Sequence, residues 1–477
     1  MATSKRPGVF ERVTPPERLV PPVDAWRLAE LRSACGDEAL AAPARFDPYW
    51  GGMWSGGSSA TWVSHGLARL QHASGLGAFP DEMVADRGEA LDRFMHQASK
   101  STYTLNDRLS FLGVVHGWRT CNAQQVAAMI GNASLAKPTS KVATAAFASG
   151  LVDLAAPSLL RRGPVFGPES LYRPGRVEAF ESLNERLTWA EWLSVTGGQA
   201  WTSGGQFDRH NLLATELGLR LAEYTEVGTV LGERFSTVDL LTGSGVGRAE
   251  VRGDRRTADM VVVRGDGMRV AVEVTATVSP YFDSKVERWA RLLAESPFPA
   301  TGLTVVFLVA QPVDDVDATR LRSKTYQAVM RAVRKHPGVS VDPTALRIGV
   351  ATWREWFPSA HTASEAFLTL RAHRPVDGWS DADFLDPGSV PFAAADPALM
   401  RAVFDNASML GQTPYWLREP SRAPSLAPEL LAANGLAAVP AFHAGPDPAT
   451  GPVVDTTASR GVTPAPRLPK RLLGLSG

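Results

Sequence analysis

Two runs of branched apolar residues, separated by a short polar turn, form the clearest pattern in the chain. The runs cover residues 260–263 and 270–272, and Arg264-Gly265-Asp266-Gly267 lies between them. An Asp-Gly pair between two such runs is typical of a β-hairpin. The pattern therefore predicts two paired strands at this point of the chain.

A helix is predicted directly after this hairpin. Ser279 and Pro280 are residue types that cap a helix and open its first turn. Apolar residues then recur at helical spacing, at Phe282, Val286, Trp289 and Leu293. Lys285 lies on the flank of this apolar stripe.

The flanking segments extend this order of elements. A helix is predicted from His210 to Tyr224, and a first strand within 232–243. After the hairpin and its helix come an uninterrupted apolar strand at 303–310, a basic helix at 320–336 and a last strand at 346–352. Such an order describes one mixed sheet with helices on its faces, so the predicted fold class is α/β.

Residues 101–175 show three short helical stretches followed by a loose hairpin. This order predicts a winged helix-turn-helix, in which the third helix enters the major groove of DNA. The groove side of that helix would carry Lys137, Thr139, Ser140, Lys141 and Thr144, and the hairpin would offer Arg161, Arg162 and Arg173 to phosphates. Winged helices also serve as dimerisation or protein-docking modules, and that alternative stays open.

The remaining segments are less regular. Residues 1–100 are expected to form an N-terminal extension, with one helix at 25–34 and an aromatic, glycine-rich loop at 47–62 whose tryptophans pin it to a domain. A connector is expected at 176–208, between the winged helix of 101–175 and an α/β domain at 209–375. Residues 376–419 suggest short helices, one of them near 397–408, and the Pro/Ala/Gly-rich residues 420–477 a disordered tail.

The composition of the chain restricts the kinds of partner that the protein can bind. The 477 residues carry a formal net charge of zero, so contact with DNA would need a local basic patch. Residues 101–175 supply one, with seven Lys or Arg against three Asp or Glu. Two cysteines form no disulfide framework, and the chain has neither a signal peptide nor a run of roughly 20 apolar residues. We therefore expect a cytoplasmic protein without a membrane partner.

Two acids in the predicted sheet require an explanation. Asp259 precedes one strand of the hairpin and Glu273 lies in the other, so both can sit at one end of neighbouring strands. Paired carboxylates there predict a metal site, with Mg²⁺ as the expected ion, and the Lys285 ammonium would assist a hydrolytic water. These are the parts of a PD-(D/E)XK-type nuclease core. Acids at strand ends are also commonly solvated or paired with arginine.

With both regions in view, the chain resembles the replication-relaxation family of actinobacterial mobile elements. The matching residues are His210, Glu216, Asp259, Glu273, Thr275 and Lys285, and the resemblance covers residues 107–357. It implies an N-terminal winged helix joined to a PD-(D/E)XK restriction-endonuclease-like domain. Two positions depart from an active nuclease: Thr275 stands where a lysine is expected, a role that Lys285 would fill, and Ala258 stands where a proline is expected.

Three functions follow as hypotheses. The first is a DNA-binding protein of a plasmid or phage with a metal-dependent nicking site, in which Glu216 helps through a water. The second is a non-catalytic DNA-binding or regulatory module. The third is a structural or assembly protein of a phage or particle, oligomeric and docked to a protein partner through its N-terminal extension or its tail.

Overall fold

The computed structural model describes residues 24–76, 79–96, 103–158, 167–204, 208–237, 257–277, 279–315 and 318–418. Within these ranges the α-helices are α1 (His65–Ala73), α2 (Asp81–Val84), α3 (Arg87–Met95), α4 (Leu105–Trp118), α5 (Ala123–Ile130), α6 (Lys141–Ala148), α7 (Val177–Asn184), α8 (Trp189–Thr196), α9 (Asp208–Tyr224), α10 (Phe282–Glu295), α11 (Phe298–Thr301), α12 (Ala318–Lys335), α13 (Trp353–Trp356), α14 (Glu365–Leu368) and α15 (Pro397–Met409).

The strands are β1 (Ala25–Arg27), β2 (Ser59–Val63), β3 (Cys121–Asn122), β4 (Val152–Ser158), β5 (Leu171–Pro174), β6 (Val227–Gly232), β7 (Met260–Arg264), β8 (Arg269–Thr275), β9 (Leu303–Val309), β10 (Gly338–Val339), β11 (Asp342–Pro343), β12 (Ile348–Thr352), β13 (Thr362–Ser364), β14 (Arg371–Arg374) and β15 (Ser380–Asp383).

A seven-stranded mixed sheet organises the C-terminal half, in the order β15-β14-β12-β9-β8-β7-β6. Strand β7 is antiparallel to both β6 and β8, strands β8, β9 and β12 are parallel to one another, and β14 is antiparallel to both β12 and β15. Strands β9 and β12 are buried along their whole length, as expected for strands covered on both faces. The α/β class and the mixed sheet predicted from the sequence are confirmed.

The two faces of this sheet pack against different helices. Side chains alternate between the faces of a strand, so Val262 and Val272 share a core with α9. Their neighbours Val261 and Ala271 belong to a second core beneath α10 and α12. The hairpin between β7 and β8 turns where it was predicted, at Gly267, whose φ of 91° favours glycine.

The N-terminal half combines helices α4, α5 and α6 with a four-stranded antiparallel sheet of order β2-β4-β5-β3. Capping boxes at Thr104 and Asn122 open α4 and α5, because each side chain accepts a hydrogen bond from the third residue of its helix. Helices α2 and α3 lie across α6. The first core extends from Leu28 to Val390, so it is shared by the predicted extension, the helical region and the sheet.

The aromatic loop is pinned as predicted. Tyr49 and Trp54 are almost fully buried. The Tyr49 hydroxyl donates to the carbonyl of Gln311 (2.8 Å), and the Trp54 indole donates to that of Ala310 (2.5 Å). Buried aromatic groups with a satisfied polar atom are strong anchors. The loop is therefore held against the end of β9.

Three local predictions need correction. The helix predicted at 25–34 is wrong, because β1 pairs with β13 there. The first strand of the sheet is β6, which ends at Gly232, where the prediction had it begin. Helix α10 begins at Phe282 rather than at Pro280. The short helix predicted near 397–408 is confirmed as α15, and the tail at 420–477 lies outside the described residues.

No helix among the described ranges is long and apolar enough to cross a lipid bilayer.

A tight backbone approach at Gly232 leads to the first prediction. A Cβ at Gly232 would lie 2.5 Å from the carbonyl oxygen of Gly117. We expect Gly232→Ala to lower the free energy of unfolding by about 2 kcal/mol, because the crowded atom is backbone. A Cβ at Gly265 meets nothing within 4 Å, so Gly265→Ala is the matched control. Urea unfolding that finds the two variants equally stable would contradict this close contact.

Candidate functional site: an acid–lysine cluster at the sheet rim

Three carboxylates lie near one end of β6, β7 and β8. Met260 pairs with Gly232 on one side and with Val272 on the other, and the paired register ends at this level. Glu273 is the next residue of β8, Asp259 lies in a bend just before β7, and Glu233 opens a short 3-10 helix (Glu233–Phe235) after β6. They lie close enough together that Asp259 and Glu233 both raise the pKa of Lys285, the residue that pairs with Glu273. The predicted neighbourhood of Asp259 and Glu273 is therefore present, and Glu233 joins it.

Glu273 is the buried centre of the cluster, with 1% of its surface exposed. The Trp289 indole donates to Oε1 (2.5 Å), and the Lys285 ammonium forms an ion pair with Oε2. Burial raises the pKa of Glu273 to about 7, because it disfavours the charged form more than Lys285 favours it. Asp259 raises this pKa further by repulsion.

Lys285 connects this buried acid to the surface. It lies on α10 one turn before Trp289, and 40% of its side chain is exposed. Burial lowers the pKa of Lys285, but attraction by Glu273 and Asp259 more than offsets this, so the pKa is raised. The ammonium therefore keeps its proton near neutral pH.

Asp259 is half-buried, and its Oδ2 accepts a hydrogen bond from the backbone N–H of Val274 (2.6 Å). The Asp259 N–H donates to the carbonyl of Val272 (3.0 Å). These two bonds hold the Asp259 carboxylate against β8 just past the end of the β7–β8 ladder. The orientation of Asp259 is thus fixed by backbone rather than by an arginine.

Two further polar groups border the cluster. Burial raises the pKa of Glu233, and repulsion by Asp259 adds to this effect. Burial lowers the pKa of His210, whereas Asp259 raises it. His210 lies at the start of α9, and its ring centroid is 5.8 Å from that of Trp54. The pinned aromatic loop therefore reaches this rim.

Sequence reasoning missed Glu233 because it placed the first strand too late. The signal was present: Glu233 comes two residues after the apolar pair Val230-Leu231, as Asp259 directly precedes another apolar run. Because β6 ends at Gly232, Glu233 opens the 3-10 helix that follows and lies close enough to Asp259 for the two charges to repel. The Thr275 hydroxyl lies 3.5 Å from the carbonyl of Glu273, and it carries no charge.

The carboxylates of the cluster do not form a ready set of ligands for a divalent ion. Within the part of the chain that the structure describes, no three His, Cys, Asp or Glu residues converge as metal ligands. Both oxygens of Glu273 are engaged, one by Trp289 and one by Lys285. A cation would have to compete with the Lys285 ammonium for Glu273.

Glu216 belongs to a different cluster, which contradicts its predicted catalytic role. Its Oε1 accepts from Arg45 (3.0 Å) and Arg220 (2.9 Å), and its Oε2 accepts from Gln125 (3.2 Å). The side chain is fully buried. It has no oxygen left for a water at Asp259, so its role is to tie the segment around Arg45 to α9.

This buried network contains a second acid for each arginine. Arg45 also pairs with Glu223, and Arg220 also pairs with Asp47 (3.0 Å). Each of these two arginines and three acids therefore has an opposite partner inside the protein, as buried ions require.

The predicted DNA contacts divide into three groups. Lys137, Thr139 and Lys141 are exposed near the start of α6. Ser140 and Thr144 are 6% and 7% exposed, because α2 and α3 cover the helix, so they cannot enter a groove in this conformation. This corrects their predicted role.

The outcome differs for the three arginines that were predicted to contact phosphates from the wing. Arg173 pairs with Asp153 (3.2 Å) and stacks over Trp62 at 4.1 Å, so it is engaged within the protein. Arg161 and Arg162 lie outside the described residues.

Loss of the Glu216 charge should be costly to stability. Glu216→Gln removes the carboxylate that accepts from both buried arginines and sets an amide N–H2 group against their donors, so we expect unfolding to become easier by about 3 kcal/mol. Glu287→Gln removes an exposed acid that pairs with Lys335 (2.6 Å), and it serves as the control with little effect. Urea unfolding of both variants checks this. If the two variants were equally stable, the predicted catalytic role of Glu216 would stand again.

The raised pKa of Glu273 predicts a pH effect of known sign. Between about pH 4.5 and 7 the folded chain keeps a proton that the unfolded chain has released. Stability from this group is present at the acid end and is lost as pH rises through that window, by an amount on the order of 3 kcal/mol. Glu273→Gln cannot titrate, so it should gain stability relative to the original protein between pH 5 and pH 8. If the free energies of unfolding of Glu273→Gln and of the original protein changed in parallel with pH, the raised pKa of Glu273 would be refuted.

Comparisons with protein-family models, with curated proteins and with solved structures found no match to this chain. The acid–lysine cluster, which consists of Glu233, Asp259, Glu273 and Lys285, is therefore the main evidence for the function.

Proposed function

We propose that the protein is a DNA-binding protein of a mobile element, a plasmid or phage, with a PD-(D/E)XK-like nuclease domain. One observation supports the proposal: Glu273 at the end of β8 pairs with Lys285 of the following helix, and Asp259 and Glu233 lie close to this lysine. Acids rarely occupy such positions in a sheet without a partner or a function. The resemblance in residues 107–357 points to the same class.

The residues of the cluster suit a phosphodiester. Lys285 keeps its charge and is partly exposed, so its ammonium can pair with a phosphate oxygen. Asp259 has Oδ2 bound to Val274, and its half-exposed carboxylate can orient a water molecule beside that phosphate. The buried Glu273 carboxylate keeps the Lys285 ammonium in place through their ion pair. Mg²⁺ is the expected cofactor of this class. Because Glu273 already pairs with Lys285, the ion would compete with this ammonium for the carboxylate.

The helical region supports the DNA-binding part. Helices α4, α5 and α6 with strands β3, β5 and β4 follow the order of a winged helix-turn-helix. Because α6 is covered, DNA would meet the exposed Lys137, Thr139 and Lys141 at its start rather than a fully inserted helix. Contacts of this kind position a duplex without reading its sequence.

A second candidate is a non-catalytic DNA-binding module. It is favoured by the contacts of Glu273, whose two oxygens are already bound by Trp289 and Lys285. In that case the cluster would serve stability, and DNA binding would not depend on Asp259.

Supercoiled plasmid nicking with Mg²⁺ distinguishes the two functions. We expect the original protein to nick, and Asp259→Asn to reduce the rate on the order of 100-fold, because Asp259 acts on the reacting water. Asp283→Asn is the matched control: Asp283 is an exposed acid near the start of α10 that pairs with Arg331 (2.8 Å).

Three outcomes are informative. Equal nicking by all three preparations would indicate a contaminating nuclease. Salt-dependent binding of a DNA duplex without nicking, weakened by Lys137→Gln and Lys141→Gln but not by Asp259→Asn, would favour the non-catalytic module. Neither nicking nor binding would end both candidates.

A further inference from the structure

A cleft of about 830 Å³ opens on the helical half of the protein, among α3, α4 and the start of α6. Its volume is in the range of small-molecule sites. Phe94, which is fully buried, forms part of its floor. Lys137, Thr139 and Lys141, the proposed DNA contacts, also line the cleft, but surface contacts to a duplex do not require a cleft of this size.

Positive charge dominates the lining of the cleft. Arg93, Arg108, Lys137 and Lys141 line it, against Glu82 and Asp92. Asp92 also forms an ion pair with Arg186 (2.5 Å), which neutralises part of the negative charge. The cleft therefore favours an anion.

The first turn of α6 adds donors to this charge. Ser140 caps the helix by accepting a hydrogen bond from the N–H of Ala143 (3.3 Å). The N–H groups of Lys141 and Val142, at the first two positions of the helix, have no carbonyl partner within it. The positive end of the helix dipole also lies here.

Thr144 provides an independent sign of a ligand. It lines the cleft and is only 7% exposed. Thr215 and Thr325, which are also buried in helices, donate their hydroxyls to the carbonyl four residues earlier, at 2.7 and 2.9 Å. The Thr144 hydroxyl makes no such bond among the described residues, so it is available at the bottom of the cleft.

We infer that this cleft binds a terminal phosphate monoester, with the phosphate between Lys141, Thr144 and the first turn of α6. A backbone phosphodiester carries a sugar on both sides and would not reach a hydroxyl that is more than nine-tenths buried. A terminal phosphate has three free oxygens and one substituent, and it fits. The source is either a free nucleotide or the phosphorylated end of a DNA strand. The inference goes beyond the proposed function, which requires neither ligand.

Isothermal titration of the full chain tests the inference. The probes are inorganic phosphate, adenosine 5′-monophosphate, adenosine, and a short single-stranded oligonucleotide with and without a 5′-phosphate. We expect the monophosphate to bind and adenosine not to bind. Tighter binding of the phosphorylated oligonucleotide than of the monophosphate would identify a DNA end as the ligand, and the reverse order a free nucleotide.

Two variants locate the site. Lys141→Gln removes an exposed charge, and Thr144→Val keeps the shape of a buried side chain while removing its hydroxyl. Each should weaken binding of the monophosphate about tenfold, as expected for the loss of one hydrogen bond to a charged group. Lys324→Gln, at an exposed lysine of α12, is the matched control and should bind as the original protein does. Thermal unfolding verifies that the variants are folded.

Absence of binding by every phosphate probe at millimolar concentration would overturn the inference. Equal binding by the original protein and both cleft variants would also overturn it. The nicking assay with Asp259→Asn uses another part of the molecule, so either result there leaves this test unaffected.

Discussion

Backbone hydrogen bonding among β6, β7 and β8 is the constraint on which the candidate site depends. The pairing of Met260 with Gly232 and with Val272 brings together the strand ends beside which Glu233, Asp259 and Glu273 lie. A shift of one residue in β8 would turn Glu273 to the opposite face. The tight approach of Gly232 to Gly117 secures the end of β6, so the helical half of the protein helps to maintain this register.

Buried charge is handled in two ways in this protein. The cluster of Glu216, Arg45 and Arg220 is closed, because every charge has an opposite partner inside the core. The cluster around Glu273 is open on one side, since Lys285 reaches solvent. Only the cluster around Glu273 can exchange a partner for a ligand. We therefore propose a functional role for this cluster and a structural role for the cluster of Glu216, Arg45 and Arg220.

The same contact that makes the Glu273 site recognisable also limits its chemistry. Lys285 compensates the buried carboxylate, and an ammonium and a divalent cation would compete for the same oxygen. If Lys285 moves to a phosphate, Glu273 loses its counter-ion, and the cost of an unpaired buried charge rises. Under the proposed function, binding of substrate, protonation of Glu273 and binding of a cation would therefore be coupled at this rim.

The alternation and spacing of apolar residues determined the mixed sheet, the hairpin turn and helices α9, α10 and α12. Acids within apolar strands were enough to single out Asp259 and Glu273. Only the tertiary structure brought Glu233 in, placed Glu216 among arginines and covered Thr144. The physical reason is that a local pattern specifies which face of an element is apolar, whereas strand register and the covering partner come from residues far away in the chain.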